Sequence, residues 1–371
     1  MGLTSKERMQ IAMDHKEPDR VPYQATFVPE VERLLEEKYK EEIKEKGIGI
    51  EDQRKYSGIS KLDILFDHDM LLLAYGISTG YYRESNSDTY VDEWGITWKK
   101  IPYKTINGDG YYTEIIGCPL ADDNKIDSYV PPDPDDEDMG YAEEIINRYG
   151  NEYYICGIID CSTYEAFKYL RGATQSLLDL VANKDIAHKV MDMSVDYHLK
   201  LGFKLIDRGV DILWLADDIG GENSLFISPE TFREMIKPKI GYMIDELKKR
   251  NKYVKVAFHS DGYIEPVIDD LIEVGVDLLN PVQPESMNPA HIKKRFGNRI
   301  CLWGTVSTQQ TLPFGSVRDV ENEIKERIRT CAPGGGLLIA PTHNFQLDVP
   351  FENIEAYYNA IKKYGKYPIN L

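Results

Sequence analysis

The chain has no CxxC pair, and its five cysteines (Cys118, Cys156, Cys161, Cys301 and Cys331) are scattered. An odd, dispersed set excludes a disulfide framework and a cysteine-rich zinc site, and it fits a reducing compartment. Positive charge is also short: 44 Lys and Arg face 62 Asp and Glu, for a net charge of −18. That balance argues against a nucleic-acid partner and against docking on anionic lipid. No stretch approaches the ~18 consecutive apolar residues of a membrane helix. The opening MGLTSKERMQIAMDHKEPDR lacks an apolar core, so it does not read as a signal peptide, and a cytoplasmic location is expected. No GxGxxG follows the first strand, which disfavours a dinucleotide-binding fold. No Ser or Cys sits in a nucleophile elbow, so acyl transfer has no support. There is no internal repeat.

What remains is a chain of 371 residues, 42% hydrophobic, with 25 Tyr against 11 Phe. From Tyr153 onward short apolar runs alternate with amphipathic helical segments. The runs are 153–160, 211–218, 254–262, 276–283, 299–307 and 335–344. Repeated βα units imply a parallel sheet, and continuous apolar strands imply burial on both faces. With RVPYQATF (20–27) the count reaches seven, and an eighth strand is expected near Lys61–Phe66. The expected fold is therefore α/β, a (β/α)₈ TIM barrel spanning 1–371. Residues 80–117, rich in Tyr, Thr, Trp and Gly, read as an inserted antiparallel hairpin whose turn lies at Asn107–Gly110. Residues 131–140, PPDPDDEDMG, read as an acidic linker. Helices are expected from Ser5 to Met13, from Glu30 to Lys46, and after Ser228-Pro229, a cap followed by proline.

The polar residues gather at the C-terminal ends of these strands: Asp160-Cys161-Ser162, Asp217-Asp218, His259-Ser260-Asp261, Asn280 with Gln283, Thr305 with Ser307, and Thr342-His343-Asn344. In an α/β barrel such ends converge on one mouth, where active sites form. His259 and Asp261 are two apart on one strand and point the same way. With His343 they make a two-His, one-carboxylate set that suits a catalytic zinc with an open position. The competing reading is a hydrogen-bonded His259–Asp261 pair without metal. Asp217 and Asp218 are adjacent, so one faces the mouth as a general acid, base or orienting group, and the other caps a helix or loop. Glu165 either reaches the site or favours the start of its helix. Asn280 and Gln283 are neutral groups fit to hold a substrate or cofactor edge. Cys161 is a weaker candidate ligand. His15, His68, His188, His198 and His291 read as ordinary surface or core residues.

The motifs PDRVP (18–22), DEWG (92–95), DD before SPETF (217–232), HSDG (259–262), NPVQP (280–284), WGTVSTQQTLPFG (303–315) and PTHN with DVPFENIEA (341–356), in this order, resemble the uroporphyrinogen decarboxylase superfamily. The resemblance covers essentially the whole chain. It implies a (β/α)₈ barrel and one of two activities: cofactor-free decarboxylation of uroporphyrinogen, or zinc-dependent methyl transfer to or from a corrinoid protein. The decarboxylases carry an Arg-rich signature near the N-terminus, whereas here RVPY continues as QATFVPEV. The methyltransferases serving coenzyme M carry H-x-C and a further Cys, at positions that correspond to His259, Asp261 and His343. With Asp and His replacing both cysteines, a bound zinc would be harder and more Lewis acidic, suited to an oxygen ligand. The expectation is demethylation of a small methyl ether, such as a methoxylated aromatic, by cobalt(I) of a corrinoid partner protein. The alternatives are a metal-free decarboxylase of a smaller acid, and a non-catalytic tetrapyrrole-binding barrel. The oligomeric state stays open, with a homodimer among the options.

Overall fold

The computed structural model describes residues 2–50, 58–81, 83 and 85–371, so residues 82 and 84 of the expected insertion lie outside it. Among the described residues, ten strands form two sheets: β1 (Met70–Ala74), β2 (Thr89–Val91), β3 (Thr97–Thr105), β4 (Gly108–Gly117), β5 (Tyr154–Ile158), β6 (Ile212–Ala216), β7 (Lys255–His259), β8 (Leu278–Asn280), β9 (Cys301–Trp303) and β10 (Leu337–Leu338). The larger sheet is parallel throughout, in the order β1-β5-β6-β7-β8-β9-β10, with helices between successive strands. It curls into a TIM-barrel-like α/β fold. The extended segment 20–27 bridges to the chain after β10, pairing Tyr23 with Ile339 and Phe27 with Phe345. On its other side the Tyr23 carbonyl accepts from Asp69 N just before β1.

Alternation along the strands divides the core in two. Met70 and Leu72, Cys156 and Ile158, Ile212, Ala257, Leu278, Cys301, Trp303 and Leu338 form one buried cluster inside the curl, capped below by Met9 and Met13 of the first helix. The intervening residues, such as Leu71, Ile155, Leu213, Leu215, Phe258 and Leu279, pack outward against the helices. This period of two fixes which polar residues at the strand ends face inward.

Several expected boundaries shift. Lys61–Leu65 is a helix, because Ser60 and Asp63 form a capping box around its first turn. The strand that the count required is Met70–Ala74, a fully buried MLLLA run five residues beyond that helix. The helix expected from Glu30 to Lys46 is two helices, Pro29–Lys38 and Lys40–Glu45, meeting at Tyr39. The inserted hairpin is a three-stranded antiparallel sheet, β2-β3-β4. Its turn falls at Ile106-Asn107, because Thr105 pairs with Gly108. Asn107 Nδ2 donates to the carbonyls of Leu347 (2.9 Å) and Val349 (3.0 Å), which ties the hairpin tip to the last loop. The segment 131–140 holds a short 3₁₀ turn, Pro134–Asp136, and ends where the helix Gly140–Tyr149 begins. Ser228 caps the next helix, with Pro229 at its first position. No helix among the described residues is long and apolar enough to cross a membrane.

Candidate active site at the barrel mouth

Strand register brings the polar ends together. Ala216 lies beside His259, and His259 beside Asn280. The inward series Ile212, Trp214, Ala216 continues to Asp218, and the series Ala257, His259 continues to Asp261. Asp218, His259 and Asp261 thus offer three ligand atoms that all lie within 4.8 Å of one another. His259 Nε2 is 3.6 Å from Asp218 Oδ1 and 3.9 Å from Asp261 Oδ1. Tetrahedral ligands about 2.0–2.2 Å from a zinc ion lie about 3.3–3.6 Å apart, so the three atoms stand near the spacing such an ion requires.

The surrounding residues hold this arrangement. His259 Nδ1 donates to Asn280 Oδ1 at 2.6 Å, and Asn280 Nδ2 donates in turn to the Trp303 carbonyl at 3.4 Å. That orientation of the amide puts the imidazole proton on Nδ1 and aims the Nε2 lone pair at the carboxylates, as a metal-binding histidine requires. Burial lowers the proton affinity of His259, but Asp261, Asp218 and the Asn280 contact outweigh it, and its pKa rises above the ordinary histidine value. The backbone N–H of Asp261 donates to Asp218 Oδ1 at 2.9 Å, linking the two acids directly. Two glycines allow that approach. A Cβ on Gly220 would stand 2.5 Å from the Asp261 carbonyl, and one on Gly262, at φ +79°, would stand 2.5 Å from the Gly221 carbonyl.

The expected site residues divide. Asp217, offered as a catalytic group, points away from the mouth because it shares the outward phase of Leu213 and Leu215. Its carboxylate accepts from Glu165 N (2.8 Å), Thr163 N (3.2 Å) and the Thr163 hydroxyl, at the start of the helix Tyr164–Arg171. Burial and the charge of Glu165 push its pKa up to about 7 against these donors. Asp217→Ala is expected to cost about 2–4 kcal/mol in urea unfolding, since it strands buried donors, while leaving metal content unchanged. Glu165 is buried, and although burial raises its pKa, Lys168 and Tyr169 hold it below the usual value. Its Oε2 accepts from Asp218 N at 3.3 Å, so it positions Asp218 rather than lining the cavity. Gln283 Oε1 accepts from the Gly262 N–H (3.0 Å) and Asn280 Oδ1 from His259 Nδ1, so both amide oxygens are committed within the site, while Asn280 also lines the cavity.

His343, expected as a metal ligand, lies outside the Asp218–His259–Asp261 group. It stands five residues beyond the end of β10, between the buried Thr342 and Asn344, and it lines the mouth cavity together with His259. Desolvation lowers its pKa below the ordinary value, with Asp261 opposing.

That cavity, about 70 Å³, is also lined by Gln24, Asp160, Trp214, Asn280 and Trp303. Asp160 was visible in the ring of polar strand ends but was not singled out. It is the inward residue after Ile158. It accepts a hydrogen bond from Ser78, and burial with the nearby charge of Glu165 pushes its pKa up to about 7. Burial, Glu165 and Asp261 likewise push Asp218 up to about 7, with His259 opposing. Trp214 packs against Trp303 (ring centroids 4.5 Å) and against His259 (5.4 Å), giving the cavity an aromatic wall.

The profile of the uroporphyrinogen decarboxylase (URO-D) family matches residues 113–364. Among solved structures, a methyltransferase from Methanosarcina mazei aligns over 97% of this chain and 99% of its own, with a TM-score of 0.67 at 17% identity, which is a likeness of fold. A B12-independent methionine synthase from a Shewanella species (10% identity, 71% and 72% coverage, TM-score 0.39) is more distant. So is a Xanthomonas albilineans dihydropteroate synthase (17%, 54% and 64%, TM-score 0.34). No curated protein matches the sequence.

Proposed function

The chain belongs to the uroporphyrinogen decarboxylase family, and from that premise we propose that it is a methyltransferase. It moves a methyl group between a small methyl ether, such as a methoxylated aromatic, and a corrinoid carried by a partner protein. The observation that carries this reading is the Asp218–His259–Asp261 group, with its Nε2 lone pair turned inward by Asn280. A divalent metal such as zinc on these three ligands would supply Lewis acidity toward the ether oxygen.

The chain's own residues do the rest. Glu165 and the Asp261 N–H fix Asp218, and Asn280 fixes His259. Trp214 and Trp303 screen the cavity from water. Asp160, with a pKa near 7, can hold a proton on its carboxyl and pass it to the departing oxygen. The small cavity admits the methoxy end of a donor, while a larger body remains in the open mouth. A metal-free decarboxylase fits less well. Among the described lining residues there is no Arg or Lys to grip a carboxylate, and Asp160 adds repulsion.

Two measurements test the reading together. Purified protein is expected to carry stoichiometric zinc, and mixing it with a cobalt(I) corrinoid protein and a methoxyarene is expected to change the cobalt absorption. Full activity in metal-free protein, or no spectral change with any ether donor, would sink the proposal.

A further inference from the structure

Two residues that line the mouth cavity carry a buried donor with no acceptor among the described residues: Gln24 Nε2 and Trp214 Nε1. Gln24 is only 2% exposed. Its backbone is pinned on both sides, the N–H donating to the Ile339 carbonyl (3.1 Å) and its own carbonyl accepting from the Tyr357 hydroxyl (3.0 Å). Trp214 is held by Trp303 and His259. Both residues therefore line, from fixed positions, the cavity that His259 and Asp160 also line, and each carries a buried N–H without an acceptor. Burying a donor without an acceptor is unfavourable, and a ligand bearing a lone pair removes that cost.

We propose that Gln24 and Trp214 form a neutral two-donor grip for an oxygen atom of the substrate, selecting oxygen-containing methyl donors over their sulfur and nitrogen counterparts. This rests on the reading that the methyl donor enters this cavity. Both groups are uncharged, and Asp160, Asp218 and Asp261 nearby disfavour an anion, so an ether, alcohol or phenol oxygen suits them. A thioether sulfur is a weak acceptor. A protonated or quaternary methylamine has no lone pair to offer. A site built to hydrogen-bond an oxygen discriminates strongly against analogues that lack it.

The test is calorimetric titration of the intact protein with anisole and with thioanisole, a near-isosteric pair, in the absence of any corrinoid protein. Wild-type protein is expected to bind anisole about tenfold or more tightly than thioanisole. Gln24→Met, which is near-isosteric, and Trp214→Phe, which removes the N–H together with part of the indole, are expected to cut that preference about three- to tenfold. Gln24→Met should leave the thermal midpoint near wild type, because its Nε2 has no partner to lose, whereas Trp214→Phe also gives up packing on Trp303 and His259 and is read from the ratio of the two affinities. Equal affinity for the two probes, binding of neither, or an unchanged preference in both variants overturns the proposal. A preference that responds to the variants, in a protein that fails the cobalt assay, supports the grip and removes the methyltransferase reading instead.

Discussion

His259→Ala is expected to leave a folded protein that keeps no metal through gel filtration and shows no methyl transfer above background. His259 supplies the one nitrogen among the three ligand atoms. Without it Asp218 and Asp261 face each other as two carboxylates with no neutral donor between them. Metal affinity should fall on the order of a thousandfold or more, beyond the roughly ten- to hundredfold typical of losing a partner that only orients a ligand. Asn280→Leu should show that smaller loss, because it removes the acceptor for Nδ1 and keeps the Nε2 donor. The fold should survive the His259 change, since the side chain is 14% exposed and its ring ends in the mouth. Metal content by elemental analysis, alongside circular dichroism, checks both points. Stoichiometric metal in a folded His259→Ala protein would mean that the ion sits elsewhere.

Much of this site was legible in the residues, and the remainder has identifiable physical causes. The ring of polar strand ends follows from apolar strands that turn polar only at the mouth, a pattern no surface strand would share. The period of two also decides between Asp217 and Asp218. Counting from Trp214 puts Asp218 inward and Asp217 with the helix-facing Leu215, but the adjacent pair alone left the choice open. Gln24 is the single polar side chain buried inside the RVPYQATF run, and that burial was the available signal for it. The strand Met70–Ala74 was missed because a helix-capping box sits where the strand was placed, and a short apolar run does not declare its own secondary structure. His343 could not be placed from sequence. β10 ends at Leu338, isolated bridges follow at Ile339 and Pro341, and the chain bends at Thr342 and His343, so strand phase does not reach His343.

His343 and Asp218 therefore give the sharpest contrast. Asp218→Ala is expected to strip the metal about as completely as His259→Ala, whereas His343→Ala should retain it at full stoichiometry. The geometry behind this is direct. Asp218 Oδ1 lies 3.6 Å from His259 Nε2 and also accepts from the Asp261 N–H, so it touches both other ligands. His343 belongs to a different loop and lines the cavity without being one of the three grouped ligand atoms. Its lowered pKa keeps the ring neutral near pH 7, so it can accept or donate a proton at the substrate without joining the cluster. Loss of such a group should reduce turnover by about 10²–10⁴-fold. Asp218→Asn sharpens the comparison, because it keeps an oxygen for the Asp261 N–H and removes the negative charge. Fold should be preserved and metal affinity reduced, separating the structural from the ligating role of this side chain. If His343→Ala loses its metal while Asp218→Ala keeps it, the ligands are His259, Asp261 and His343, and Asp218 is the acid that stands beside them.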